Sequence, residues 1–358
     1  MRYVVIMAGG SGTRLWPLSQ QGAPKQLLEL FHGKSLLRLA MERAVHLVEP
    51  ERILVCTGKA YLDEVARQLP EIPRENLLGE PEGRDSLNAA AWPAAILRRR
   101  DPDAVMAVLS ADHLIEPVEN FLTSLNTAFE LTEHDPTALV TFGVEPTGPE
   151  TGFGYLERGD ALVDYPDANA VDEFKEKPDL ETARKYLDSG RYWWNSGMFV
   201  WQAACFLTEL EHYLPETHTQ LTRLAENPEL LAEIYPKLFK TSVDYAIMEP
   251  VSHSDRAAHV VAVKLGITWS DVGSYPVLAQ QLPLNPDSSA VLGRSVSLDA
   301  RNNLLINVDD DSVIAVLGLN DVVVVRTEKV TLVAPLSESQ RVKELAGLVA
   351  EQVGAEFS

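Results

Sequence analysis

The chain reads as an α/β protein: a mostly parallel sheet flanked by helices, followed by a small C-terminal β unit. Short β-branched runs alternate with amphipathic segments through the first half, the pattern of βαβ units. Those runs are apolar throughout rather than alternating, as strands covered on both faces are. Past the turn-forming stretch "PLNPDSS" at 283–289 the texture changes to short strand-like runs and one closing helix.

The elements follow in order. A strand over 3–6 leads into a glycine-rich loop over 7–26. A helix over 36–45 places Leu36, Leu37, Ala40, Met41, Ala44 and Val45 on one face. A strand over 52–56, a helix over 61–69, a strand over 104–109, a helix over 118–131 and a strand over 138–144 continue the alternation. From Thr151 the stretches "TGFGYLERG", "FKEKPD" and "RYWWNSGMFVW" read as the second half of the same domain, an insertion sized for a sugar. Helical patterns resume to about Glu249, and a strand over 260–263 leads to "ITWSDVGSY". Strands over 312–317 and 321–325 and a helix over 338–353, with Val342, Leu345, Ala346 and Val349 on one face, form the C-terminal unit. The expected division is 1–283 and 290–358.

Composition narrows the function. A formal net charge of −21 speaks against broad nucleic-acid or anionic-membrane binding, so an anionic substrate must meet a local cluster of cations. The two cysteines, Cys56 and Cys205, match neither a disulfide framework nor zinc-ligand spacing and read as core thiols of a reducing cytosol. The sequence shows neither a leader nor a membrane-spanning stretch, which predicts a soluble cytoplasmic protein.

The loop "MAGGSGTRLWPLSQQGAPKQ" matches neither common phosphate fingerprint. Gly12 is followed by Thr13 and Arg14 rather than Lys-Ser/Thr, and counting from Gly10 and Gly12 the third glycine position is Leu15. The missing glycine also removes a nicotinamide dehydrogenase. Gly9, Gly10 and Gly12 allow positive φ, so the backbone can gather N–H groups into a nest for phosphate oxygens. Arg14 adds a planar fork and Lys25 a point charge. Pro17 and Pro24 hold the residues before them out of the helical region and return Lys25 to the glycines. Asp112 in "VLSADHL" and Asp271 in "ITWSDVGS" each follow a strand-like run. Singly each is a turn carboxylate; together they suit Mg²⁺ on a nucleotide, which takes one or two protein carboxylates. Glu176 and Lys177 in "DEFKEKP" alone read as a solvated edge. Asn195 in "WNSGMF" is a directional hydrogen bonder beside aromatic surface, a combination that suits sugar hydroxyls, although an Asn holding a turn reads equally well. No histidine has a Ser or Cys partner that suggests acyl transfer.

Taken together, "AGGSGTRLWPLS" with "PKQ", "EPEGRDS", "LSADH", "TFGVEPTGPETGFGYLERG", "FKEKPD", "WNSGMFVW", "SVDYAIMEP" and "WSDVGSY" resemble, in order, the nucleotidyltransferases of sugar-nucleotide synthesis, in the branch that makes GDP-mannose. The resemblance implies a Rossmann-like catalytic domain and a short domain like a left-handed β-helix fragment. It implies transfer from GTP to mannose 1-phosphate with Mg²⁺ as cofactor, giving GDP-mannose and pyrophosphate. Arg14, Lys25, Asp112 and Asp271 would be catalytic, the two aspartates as metal ligands. Ala8, Gly9, Gly10, Gly12, Thr13, Glu80, Arg84 and Ser86 would meet the nucleotide, and Gly154, Glu176, Lys177 and Asn195 the sugar phosphate. Chemistry adds that Glu80 can accept from the N1–H and 2-amino group of guanine. Where the family reads Arg-Asn-Thr-Ala-Pro-Ala, this chain has Arg84, Asp85, Ser86, Leu87, Asn88 and Ala89. The same reaction with another nucleotide or hexose 1-phosphate, and a non-catalytic nucleotide-sugar-binding regulator, stay open as alternatives. The C-terminal unit offers a homodimer surface; neither a nucleic-acid nor a membrane partner is expected.

Overall fold

The computed structural model describes residues 1–10, 12–20, 22–31 and 33–357. In chain order the strands are β1 (Arg2–Ala8), β2 (Ile53–Gly58), β3 (Leu77–Glu80), β4 (Val105–Ser110), β5 (His113–Glu116), β6 (Ala138–Val144), β7 (Tyr155–Leu162), β8 (Tyr165–Lys175), β9 (Tyr192–Gln202), β10 (His259–Lys264), β11 (Thr268–Asp271), β12 (Ala290–Leu292), β13 (Ser295–Leu298), β14 (Leu304–Asn307), β15 (Ile314–Leu317), β16 (Val322–Arg326) and β17 (Thr331–Pro335). The chain forms two compact units, one of Met1–Gly9, Ala40–Ala111 and Ile115–Trp269, the other of Gly10–Leu39, Asp112–Leu114 and Ser270–Ser358.

The first unit is built on a sheet of order β3-β2-β1-β4-β9-β6-β10-β8-β7. β1 pairs in parallel with β2 and β4, β2 with β3, and β6 with β10. Within this sheet only β8 and β9 run against the other strands. The central run Val4, Val5 and Ile6 is fully buried because both faces are covered. On one face Tyr3, Val5, Leu54, Met106 and Val108 share a core with Leu87, Ala90 and Ala94 of helix Asp85–Arg100 and with Phe206 and Leu210 of helix Ala203–Tyr213. Each large side chain so buried contributes about 1.5–3 kcal/mol. Helix Val118–His134 buries Phe121, Leu125, Ala128 and Phe129.

The expected strands over 3–6, 52–56, 104–109, 138–144 and 260–263 are β1, β2, β4, β6 and β10. The segment from Thr151 differs from the expectation. It is no insertion beside the sheet, since it supplies β7, β8 and the central strand β9. Trp193, Met198, Phe199, Val200 and Trp201 fill β9 with buried apolar bulk, which suits a strand with neighbours on both sides. Helix Leu36–Ala44 ends one residue before Val45, which is exposed rather than on the apolar face.

In the second unit the chain alternates between two small sheets, β12-β14-β16-β17 and β13-β15. β12, β14 and β16 are parallel, as are β13 and β15, while β17 closes antiparallel on β16. This is β-helix-like winding. Leu304, Ile306, Val323 and Val325 form its core with Val342 and Ala346 of helix Val342–Gln352, and the same core takes in Leu15, Trp16 and Leu18 from the chain just after the glycines. Trp16 Nε1 donates to the Phe357 carbonyl at 2.7 Å. Leu345, expected on the apolar helix face, is exposed. The "PLNPDSS" stretch is an ordered turn in which Asn285 Oδ1 accepts from the Asp287 and Ser289 N–H groups. Both cysteines are free thiols, pushed up by burial. Among the described residues no helix is long and apolar enough to cross a membrane.

Candidate active site

The glycine loop belongs to the second unit from Gly10 onward. Gly10 and Gly12 take positive φ, 94° and 59°; Gly9 does not, so the expected conformational role holds for two of the three glycines. Gly12 is also required sterically, because a Cβ there would lie 2.9 Å from Lys25 Cβ. Thr13, exposed, opens the 3-10 turn Thr13–Leu15, and Trp16 leaves it with φ −59° and ψ 137°, the extended conformation expected before Pro17. The Tyr275 hydroxyl donates to the Leu15 and Trp16 carbonyls at 3.0 and 2.8 Å and fixes the exit of the loop.

Pro24 then sets the 3-10 turn Lys25–Leu27, which buries Lys25. Its ammonium sits between two carboxylates, 2.8 Å from Asp112 Oδ2 and 3.1 Å from Asp271 Oδ1. Burial pushes the Lys25 ammonium down, but Asp112 and Asp271 outweigh it and leave the value raised. The Asp112 carbonyl accepts from the Val272 N–H at 3.3 Å, which ties the two acidic segments together. Gly273 leaves room for Arg14, whose Nη2 lies 3.0 Å from where a Cβ would stand, with Asp271 Oδ2 at 3.4 Å from the same point. Thus Gly12, Arg14, Lys25, Asp112 and Asp271, far apart in sequence, converge within one unit. Arg14 is exposed, while Lys25 is already neutralised by its partners.

A divalent cation fits this donor set. One ligand atom each of Asp112, Asp271 and His113 lie within 4.8 Å of one another. Carboxylate oxygens are hard donors suited to Mg²⁺, and the Lys25 ammonium already marks a point where both stabilise positive charge.

The first unit holds the other expected residues in two groups. Gly154, Glu176 and Asn195 are packed together: a Cβ on Gly154 would come within 2.6 Å of Glu176 Oε2, and the Asn195 N–H donates to the Gly154 carbonyl at 2.8 Å. The β6–β9 register shifts between Thr141 and Gly143, opposite Ser196 and Gly197, and such a bulge re-aims a side chain. Here it turns Asn195 so that its Oδ1 accepts from Thr141 Oγ1 at 2.7 Å and its Nδ2 donates to Asp244 Oδ1 at 2.8 Å. Lys177 Nζ pairs with the buried Glu176 carboxylate at 2.6 Å. Burial pushes Lys177 down and the Glu176 bond and charge raise it, with a net rise. The Phe153 ring lies edge-on to Trp194 and Trp269, at 5.2 and 5.0 Å, an aromatic surface next to Asn195.

Asp244, in the π-helical turn Asp244–Met248, was not singled out from sequence. Burial, then the nearby Glu176 charge, push its carboxyl up to about 7. The sign follows: below that value the folded chain holds a proton that an unfolded aspartate loses near pH 4, so stability from this group falls as pH rises from about 4 to 7. Asp244→Asn, which keeps the Oδ1 acceptor, is expected to raise the melting temperature at about pH 8, with the gain shrinking towards about pH 4. An equal gain at both pH values in a thermal melt would contradict this.

The second group surrounds β3. Glu80 is buried, and its Oε1 accepts from the Tyr235 hydroxyl at 2.6 Å. Ala8 ends β1, its carbonyl accepting from Thr57 Oγ1 at 3.0 Å, and Gly9 follows with its Cβ position 3.7 Å from Glu80 Oε2. The Arg84 guanidinium pairs with Glu82, and Ser86 Oγ accepts the Val243 N–H at 3.0 Å, so both are engaged within this unit. Asn88 has a structural role: its Nδ2 donates to the Arg84 and Phe239 carbonyls at 2.9 and 2.8 Å. Tyr235 lies in "AEIYPKLF", where nothing local marks it, because its partner Glu80 is 155 positions away.

A glycine loop beside a lysine held by paired carboxylates suits a protein that handles a nucleotide, and the chain's relatives give the class as a nucleotidyltransferase. The family model described as Nucleotidyl transferase matches residues 3–283, and that of the MannoseP isomerase/GMP-like beta-helix domain matches 293–347. The chain is 36% identical over 363 residues to the mannose-1-phosphate guanylyltransferase of Klebsiella pneumoniae, covering 99% of this chain and 75% of that protein. It is 36% identical over 353 residues to the enzyme of the same name from Salmonella muenchen, covering 95% and 72%. The crystal structure of a mannose-1-phosphate geranyltransferase from Thermus thermophilus superposes with a TM-score of 0.85 at 33% identity, over 97% of this chain and 99% of that one. The chain belongs to the nucleotidyl transferase family, in its mannose-1-phosphate guanylyltransferase branch.

Proposed function

We propose that this chain joins GTP and mannose 1-phosphate to give GDP-mannose and pyrophosphate. One phosphate oxygen of mannose 1-phosphate forms a bond to the α-phosphorus as the bridge to the β-phosphate breaks, and pyrophosphate leaves with the bonding pair. The attacking phosphate is anionic near neutral pH, its second ionisation lying at about 6, so a general base is not needed. Catalysis is positioning and charge stabilisation. The observation that carries this reading is Lys25, its stem packed against Gly12 and its ammonium between Asp112 and Asp271, with Arg14 beside Gly273.

In this reading Arg14, Lys25 and the backbone of Gly10, Gly12 and Thr13 hold the triphosphate. Asp112 and Asp271 would hold Mg²⁺, which when bound supplies positive charge to phosphate oxygens. Ala8, Gly9, Glu80, Arg84 and Ser86 serve the nucleoside, and Gly154, Glu176, Lys177 and Asn195 the sugar phosphate. Residues 1–283 carry the reaction, and 290–358 form the C-terminal domain. The names of the 36%-identical relatives support both substrates.

Pyrophosphate release tests this across GTP, UTP, dTTP and ATP against mannose and glucose 1-phosphates, with geranyl diphosphate as a control donor. Release should be fastest with GTP, require mannose 1-phosphate and stop on chelation of divalent cations. Release that ignores the sugar phosphate, or prefers another nucleotide, would contradict the proposal.

A further inference from the structure

We propose that Tyr235 is a positioning residue for base selection: its hydroxyl clamps one oxygen of Glu80 so that the carboxylate turns its remaining lone pairs to the Watson–Crick edge of guanine. The inference rests on the reading of Glu80 as the base contact. Tyr235 opens the turn Tyr235–Lys237 and is fully buried. Its ring packs at 5.3 Å, tilted, against Trp92, which fixes where the hydroxyl points. A phenol has one proton to donate, and here it goes to Glu80 Oε1 at 2.6 Å. The second oxygen, Oε2, lies 3.7 Å from the place a Cβ on residue 9 would occupy, so residue 9 borders it. The Tyr235 hydroxyl fixes Oε1, and the Arg84 main-chain N–H also donates to the carboxylate.

Guanine presents two adjacent donors, N1–H and the 2-amino group, while adenine presents an acceptor at N1. An ionised carboxylate only accepts, so it pairs with the first edge and repels the second. Burial pushes Glu80 towards its neutral form; the Tyr235 hydroxyl and the Arg84 main-chain N–H pull it back, and Asp85 opposes them, with a net rise. The buried Cys56 thiol also lies within electrostatic reach of this carboxylate. Removing the phenol proton donor would therefore loosen the carboxylate and weaken its charge together.

The test is steady-state kinetics with GTP and with ITP, which lacks the 2-amino group, on the full chain with mannose 1-phosphate and Mg²⁺. Tyr235→Phe keeps the ring against Trp92 and deletes only the hydroxyl. It is expected to raise KM for GTP about tenfold with a much smaller change in kcat, the size of one lost hydrogen bond to a charged group. It should also narrow the GTP-over-ITP preference and move the acid limb of kcat/KM for GTP to higher pH. An unchanged GTP/ITP ratio and acid limb would overturn the positioning role, whatever the overall rate. Glu80→Gln separates the two ideas. If it too leaves the ratio intact, Glu80 is not the base contact; if it abolishes the preference while Tyr235→Phe preserves it, only the role of Tyr235 falls.

Discussion

Replacing Lys25 by Met is expected to lower kcat by about a hundredfold to a thousandfold, the usual loss when one preorganised electrostatic contact is removed from a developing charge. Met retains an unbranched stem for the channel beside Gly12, where no Cβ stands in the way. What disappears is the ammonium, together with its bonds of 2.8 and 3.1 Å to Asp112 and Asp271. The two carboxylates keep partial access to solvent, with 23% and 29% of their side chains exposed, so water can hydrate them and the fold survives. Pyrophosphate release at saturating substrates measures the effect. A folded Lys25→Met protein with near-normal kcat would remove Lys25 from the chemistry.

Asp112→Asn is expected to cost about a hundredfold or more in turnover and to raise the Mg²⁺ concentration needed for half-maximal rate. The amide preserves size and one oxygen but loses the charge that makes a hard cation ligand. Lys25 retains Asp271 at 3.1 Å, so the local packing is expected to persist. Asp271→Asn should behave alike, because the two oxygens flank one point. A Mg²⁺ titration on each variant reads this directly: lost activity with an unshifted Mg²⁺ requirement would place the metal elsewhere.

Legible in the sequence were the continuous apolar runs of β1, β2, β4, β6 and β10, where burial on both faces leaves a local signature, and in the second unit the short runs expected over 312–317 and 321–325, which are β15 and β16. Helix Asp85–Arg100 was not legible, since Pro93 sits inside it and reads as a breaker. The place of β9 in the middle of the sheet was also hidden, because pairing with β4 and β6 joins residues some fifty to a hundred positions apart. The core shared by Leu15 and Trp16 with β14, β16 and helix Val342–Gln352 is likewise non-local.

Of the site, the glycine loop and the Asp112 and Asp271 positions stood out because chemistry restricts residue type there. Their convergence on Lys25 needed three dimensions. Tyr235 and Asp244 carry no local signature, since their partners Glu80 and Asn195 lie far away along the chain. Gly9 departs from the expectation, since it takes no positive φ; its Cβ position borders Glu80 Oε2 at 3.7 Å.

In the proposed reaction a nucleoside monophosphate, rather than a terminal phosphate, passes to the sugar ester. A single turnover with GTP labelled either at the α- or at the γ-phosphorus, in the presence of mannose 1-phosphate and Mg²⁺, decides it. The α label should appear in the sugar nucleotide and the γ label in pyrophosphate. A γ label attached to the sugar, or an α label that stays in free nucleotide, would contradict it.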